Sequence, residues 1–210
     1  MAKAKKSNLF PIIACAILLL TAILTISMLA TPLYKIEGEA FGIEAKTEMT
    51  AFEYLDEMNK ADEDGKTNIQ EAKEELKEAE EFLAGLKDKG LPTADAELAL
   101  EKAKQPIMLY DSLTAVVALT AIAMVAAVIA LVLAVLKKNK LAFIVGLVAA
   151  VLLLAAFAAA CATTSVANAM FIPETAIENV KVAVIAPIVA LVISLIGSLA
   201  GGGLLVLKRK

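Results

Sequence analysis

"LVLAVLKKNKLAFIVGLVAA", Leu131 to Ala150, places three lysines within four positions between two runs that carry no other charge. The flanks are too apolar for water and the lysines too strongly hydrated for hydrocarbon, so the stretch reads as a tight polar turn at a membrane surface. Residues 107–136 before the turn and 141–166 after it hold one carboxylate, Asp111, and no basic residue. Asp111 falls in the opening turn of its run, where free backbone N–H groups favour an anion. About 20 residues rising 1.5 Å each cross the roughly 30 Å of hydrocarbon in a bilayer, so both runs predict membrane spans. Residues 9–34 and 182–207 are two further runs of that length. The expected fold is an all-α integral membrane protein: a four-helix transmembrane bundle with an extracytoplasmic helical hairpin between the first and second spans.

Composition supports this division between two solvents. The 210-residue chain is 60% hydrophobic, above the usual level of about 45–50%. Of its 23 acidic residues, 20 lie within residues 35–106. The opening "MAKAKKSN" resembles the basic start of a removable signal peptide. The apolar run after it exceeds the roughly 7–15 residues such peptides carry, and Met28 and Ala30 do not form a small-residue cleavage site, so it is expected to remain as an anchor.

Basic residues flanking spans stay in the cytoplasm. Lys3, Lys5 and Lys6, then Lys137, Lys138 and Lys140, then Lys208, Arg209 and Lys210 make nine cations without an acid in the three segments that four spans would leave on one side. The topology expected is therefore cytoplasmic for 1–8, 137–140 and 208–210 and extracytoplasmic for 35–106 and 167–181, in the plasma (cytoplasmic) membrane, with both termini inside. Cytoplasmic pieces this short cannot form a kinase, a nucleotide site or a nucleic-acid-binding module.

Residues 35–106 carry ten lysines against 20 acids, a charge suited to a basic partner or to cations. Glycines 38 and 42 in "YKIEGEAFGIEAK" suggest an extended or turning lead-in. Met49, Phe52, Leu55 and Met58 recur every three residues, and Ile69, Ala72, Leu76, Ala79, Leu83 and Leu86 alternate spacings of three and four, the pattern of a helix packed along one seam. "DEDGKT" supplies the turn between these helices. "KGLPT" ends the second, and Thr93 caps a third short helix over 94–105, with Pro106 opening the next span.

Aligning Gly65 with the invariant glycine of an EF-hand loop puts Asp62, Asp64, Asn68 and Glu71 at loop positions 3, 5, 9 and 12, a calcium candidate. Lys60 takes the place of the first carboxylate and Thr67 that of the usual apolar residue, so an ordinary helix-helix turn is the main expectation. No histidine occurs, which excludes histidine-dependent triads and the usual zinc sites. Neither a nucleophile elbow nor a phosphate loop is present, so no catalysis, cofactor or metal is expected. Cys15 and Cys161 differ in depth by about 21 Å at helical rise, too far for a disulfide, and read as apolar packing residues.

No acid or base lies near the middle of a span, where ion-coupled transport keeps one; Thr21, Thr25, Thr120 and Ser194 are the most polar groups at depth. The last span instead offers small residues. Ser194, Ser198 and Gly202 recur every four, beside Gly197 and Gly201, a ridge that another helix can approach closely. "AAFAAACA" at 155–162 is able to receive it, and Pro187 is expected to bend the last span two turns in.

This layout resembles that of the claudins and their relatives: four spans, inner termini, a large first outer segment, a four-residue inner turn and a short second outer loop. The resemblance is one of topology. The family's W-GLW-C-C pattern has no counterpart, since residues 35–106 contain neither tryptophan nor cysteine, and no residue role carries over. The expected function is that of a non-catalytic scaffold, adhesion component or accessory subunit. Its expected partners are the lipid bilayer and a membrane protein or a second copy, with no nucleic acid. A small channel or transporter subunit is the alternative.

Overall fold

The computed structural model describes residues 9–40, 43–171, 180–183 and 186–207. In chain order these form α1 (Leu9–Leu29), β1 (Pro32–Ala40), β2 (Ile43–Thr50), α2 (Ala51–Asn59), α3 (Asn68–Asp88), α4 (Ala94–Val135), α5 (Asn139–Phe171), β3 (Val180–Ala183) and α6 (Ala186–Leu207). Among the described residues three helices are long and apolar enough to cross a membrane, α1, α4 and α5, with mean hydropathies of 2.7, 3.0 and 2.9. The protein is membrane-embedded. Within α6, Leu195–Val206 is a shorter apolar stretch.

The chain divides into two compact units. The first comprises residues up to Leu29, Ala115–Cys161 and Pro187 onward. Its core is built mainly from alanine: Ala14, Ala22, Ala123, Ala127, Ala149 and Ala150 surround Leu18, Leu153 and Leu205. Large side chains such as Ile122, Val151, Ile196 and Leu199 point outward instead, each more than half exposed. In lipid, leucine gains little by leaving an equally apolar solvent, whereas small residues let backbones approach and gain dispersion contacts. Hydrophobicity therefore does not sort inside from outside here; side-chain size does.

Between α4 and α5 the quoted turn closes as a Schellman motif: the Lys138 N–H donates to Leu133 O at 2.9 Å and the Lys137 N–H to Ala134 O at 3.1 Å. Lys137 takes the left-handed position, φ 61°, which usually falls to glycine.

Two proline expectations are corrected. Pro106 does not open a span but lies inside α4, which runs unbroken for 42 residues. Lacking an N–H, it leaves the Lys102 carbonyl without its helical donor, at a cost of roughly 3 kcal/mol. The alanine-, leucine- and lysine-rich residues before it and the apolar run after it both favour helix strongly enough to carry the helix through. Pro187 likewise does not bend a span. It is the second residue of α6, a first-turn position where the missing N–H has no partner to lose.

The second unit comprises Ala30–Thr114 and Ala162–Ala186. It corrects the all-α expectation, because it contains a three-stranded antiparallel sheet in the order β2-β1-β3. Register places Lys35 opposite Glu48 and Glu37 opposite Lys46. On its other edge β1 sets Glu37 opposite Lys181 and Ile36 opposite Val182. Most charged positions are thus registered against a residue of opposite charge, Glu39 opposite Glu44 being the like-charged exception. Val180–Ala183, expected to straddle the end of the 167–181 loop and the start of the 182–207 span, is the third strand. Its alternating β-branched residues suit a strand once a partner edge exists.

α2 and α3 pack against each other, and α2 also contacts β2. A reciprocal capping box starts α2: Thr50 N–H donates to Glu53 Oε2 at 2.7 Å, and Glu53 N–H to Thr50 Oγ1 at 3.1 Å. The Thr50 backbone N–H, and then its hydroxyl, hold the Glu53 carboxyl below the usual carboxylate range. A depressed acid stabilises the fold above its unfolded pKa and loses that contribution as pH falls through the folded value. Acidification through the Glu53 titration is therefore expected to lower the protection of the Thr50 amide relative to its intrinsic exchange rate at each pH, while Glu53→Gln, which keeps an acceptor without the titration, flattens this pH dependence of protection. An unchanged profile in that variant would refute the assignment.

Candidate functional site

The acidic second unit is the first place to look for a site, and the turn between α2 and α3 carries three consecutive carboxylates, Asp62, Glu63 and Asp64. The turn is closed by backbone: Asp62 N–H donates to Lys66 O at 2.8 Å, Asn68 N–H to Lys60 O at 3.2 Å, and Ala61 bridges Thr67. Gly65, at φ 79°, makes the reversal. Asp62 Oδ1 accepts from the Lys66 N–H at 2.8 Å, and the Asn68 amide donates to Glu57 O at 2.8 Å. Lys66 Nζ lies 2.7 Å from Glu74 Oε2. That hydrogen bond and charge, with the fields of Asp62 and Glu71, raise the Lys66 pKa.

The calcium candidate, Asp62, Asp64, Asn68 and Glu71, lies in this turn; among the described residues no three or more His, Cys, Asp or Glu side chains are grouped to hold a metal. The reason is visible at Lys66. Its ammonium group occupies the negative field that an EF-hand would reserve for calcium, and Asn68 turns its amide away to α2.

Other carboxylates of α2, α3 and the start of α4 sit in exposed ion pairs. Glu57 meets Lys60 at 3.7 Å, Glu81 meets Lys77 at 3.7 Å, and Glu97 meets Lys87 across the turn between α3 and α4 at 3.5 Å. Each contributes at most about 1 kcal/mol. Glu74 pairs with Lys66, eight positions earlier. Along the seam of α3, Ile69 and Leu83 are buried, while Ala72, Leu76, Ala79 and Leu86 are half-buried.

The small-residue ridge of α6 is engaged within the chain. A Cβ added at Gly197 would collide with the Thr21 side chain, and one at Gly201 would lie 2.6 Å from Leu18 Cγ and 3.2 Å from Ala14 O, so both glycines face α1. Gly202 faces α5, with Ala150 Cβ at 3.2 Å. The receiving surface is thus mainly the first span, and on the third it is Ala150 rather than 155–162. Ser198 is buried and donates to Leu195 O at 2.9 Å; Ser194 lies on α6 one turn before it. Sequence reasoning passed over Gly146 on α5, where a Cβ would lie 2.8 Å from Leu205 Cδ1 and 3.6 Å from Cys15 Sγ. Its one signal is a lone glycine within a Leu/Val/Ala run.

Among the hydroxyls at depth, Thr21 donates to Ile17 O at 2.8 Å and Thr25 to Thr21 O at 2.9 Å. Thr120 is fully buried and its Oγ1 has no partner among the described residues. A buried hydroxyl without a partner costs about 1–3 kcal/mol. Thr120→Val, which keeps the shape, is accordingly expected to leave thermal stability in detergent unchanged or raise it by about 1 kcal/mol; a clear loss would mean that the hydroxyl has a structural bond. Cys15 is buried, Cys161 is exposed, and both are free thiols.

Of the basic residues read as setting orientation, Lys137, Lys138 and Lys140 lie exposed at the turn between α4 and α5. Lys3, Lys5, Lys6, Lys208, Arg209 and Lys210 fall outside the described residues. Compared with known proteins, the chain matches no family model, no curated protein and no solved structure.

Proposed function

We propose that this protein is a non-catalytic membrane scaffold or accessory subunit that recognises a membrane-protein partner through its acidic outer unit. In this reading α6 is a fourth span, both termini are cytoplasmic in the plasma membrane, and residues 35–106 with their α2–α3 hairpin lie outside. The observation that carries the reading is the sheet. β1, which follows α1, is hydrogen-bonded to β3, which precedes α6; that pairing of two stretches more than a hundred residues apart in sequence supports reading both as lying on one side of the bilayer. The lysine turn precedes α5, a continuous helix of 33 residues, which is long enough for a crossing. At 22 residues, α6 is about 33 Å long, sufficient for a crossing.

The outer unit is net negative with most side chains of α3 exposed, while the spans carry no charge at depth. Such a partition favours recognition outside over chemistry or ion coupling within. Since Gly197 and Gly201 are already packed on α1, association with another protein is assigned to the outer unit rather than to that ridge.

Topology is tested by cysteines placed singly at Asn139 and Glu75 in a chain whose Cys15 and Cys161 are replaced by alanine. An impermeant maleimide on sealed cells is expected to label position 75 and not 139. Labelling of both from the same face overturns the four-span arrangement. Function is tested with a photocrosslinker at Glu75 in native membranes: a discrete cross-linked partner supports the proposal. Solute flux or conductance from the pure protein in liposomes would replace it with a pore.

A further inference from the structure

The lysine turn retains a feature that orientation alone does not require. Its three ammonium groups form no ion pair among the described residues, and the nearest carboxylates in sequence are Asp111 and Glu174. The Schellman bonds at Lys137 and Lys138 fix the backbone beneath them, so the three cations stay grouped. Lys137 is held at φ 61°, where glycine would be less strained. Directly flanking the cations is an exposed apolar collar: Val132, Val135 and Leu136 on α4, and Leu141 and Ile144 on α5, each more than half exposed. The turn itself lines a shallow recess of about 380 Å³, formed by Lys137, Lys138, Asn139, Lys140 and Leu141.

A ligand for such a place must carry a negative charge next to hydrocarbon. Free anions satisfy the lysines but not the collar, and neutral lipids satisfy the collar but not the lysines. An anionic phospholipid satisfies both, with its acyl chains along Val135, Leu136 and Leu141 and its phosphate in the recess. We infer that the turn at residues 137–140 is a binding site for an anionic phospholipid of the leaflet it borders. The inference requires only that α4 and α5 are in the membrane, and is independent of what the outer unit recognises.

The chain has no tryptophan, so one introduced at Leu141 becomes a unique local fluorophore. The full-length Leu141→Trp protein is reconstituted in phosphatidylcholine, and either brominated phosphatidylglycerol or brominated phosphatidylcholine is titrated in as quencher. Each lysine near a membrane surface contributes about 1 kcal/mol toward anionic lipid, roughly a fivefold preference. Phosphatidylglycerol is therefore expected to occupy the site at least fivefold more strongly than phosphatidylcholine. Adding Lys137→Gly, Lys138→Gln and Lys140→Gln should reduce the ratio to near one; the glycine suits the left-handed position, so the turn persists. Replacing all three by arginine or glycine-plus-arginine (Lys137→Gly, Lys138→Arg, Lys140→Arg) should keep most of the preference. A parent ratio near one overturns the inference. So does a preference that survives loss of the lysines, or quenching that millimolar inorganic phosphate relieves.

Discussion

Gly201→Ile is expected to destabilise the helical unit by about 3 kcal/mol or more, the upper range for forcing methylene groups into a packed interior. A single added Cβ would already lie 2.6 Å and 2.7 Å from Leu18 Cγ and Cδ2, and 3.2 Å from the Ala14 carbonyl oxygen. Leu18 could change rotamer only by entering the alanine core around it, and the carbonyl belongs to a helix backbone that moves only as a body. Gly197→Ile should be as severe, because its Cβ would meet the Thr21 side chain. Two neighbours set the scale. Gly202→Ala meets only the Ala150 methyl at 3.2 Å and should cost less than about 1 kcal/mol, while Gly203→Ile has nothing within 4 Å and should be neutral. Reactivity of the buried Cys15 thiol, in a chain with Cys161 replaced by alanine, reports unfolding on heating in detergent. If the Gly201 and Gly203 variants expose Cys15 at the same temperature, α6 does not pack on α1 as described.

The second large effect belongs to the unit that contains the sheet. Tyr54 on α2 is 7% exposed and donates its hydroxyl hydrogen to Pro106 O at 3.0 Å. Tyr110 donates to Asn59 Oδ1 at 2.9 Å, so two phenols tie α2 to α4. Tyr54→Ala removes a buried ring and one of these ties together, and is expected to destabilise the unit by about 3–4 kcal/mol. Tyr54→Phe loses only the hydrogen bond, at about 1 kcal/mol. Hydrogen exchange across residues 51–59 should separate the two variants by roughly a hundredfold, because 1.4 kcal/mol is about tenfold. Equal protection in both would mean that the ring contributes no packing energy and that α2 is held by other contacts.

Some structural features could be read locally because their causes are local. The lysine turn, the long apolar helices and the reversal at Gly65 each depend on residues within a few positions of one another. The α3 seam was visible as a periodicity, and two of its members, Ile69 and Leu83, are buried. By contrast, Lys66 was passed over as a turn residue. Its influence comes from Glu74 eight positions away and from the fields of Asp62 and Glu71, a set brought together only when the turn folds onto α3.

The same distinction applies to the fold as a whole. Composition and the placement of charge determined by themselves that the chain is embedded in a membrane through long apolar helices, because transfer between water and lipid is a property of each segment taken alone. They could not determine that Val180–Ala183 would be a strand, since a strand has no unpaired existence and its partner, β1, lies some 145 positions earlier in sequence. Nor could they decide which helix would meet Gly197 and Gly201, because every span offers small residues and only the packed bundle selects α1. Tertiary structure also decided the two prolines: whether one breaks or opens a helix depends on what lies on either side and on which neighbours compensate for its missing N–H.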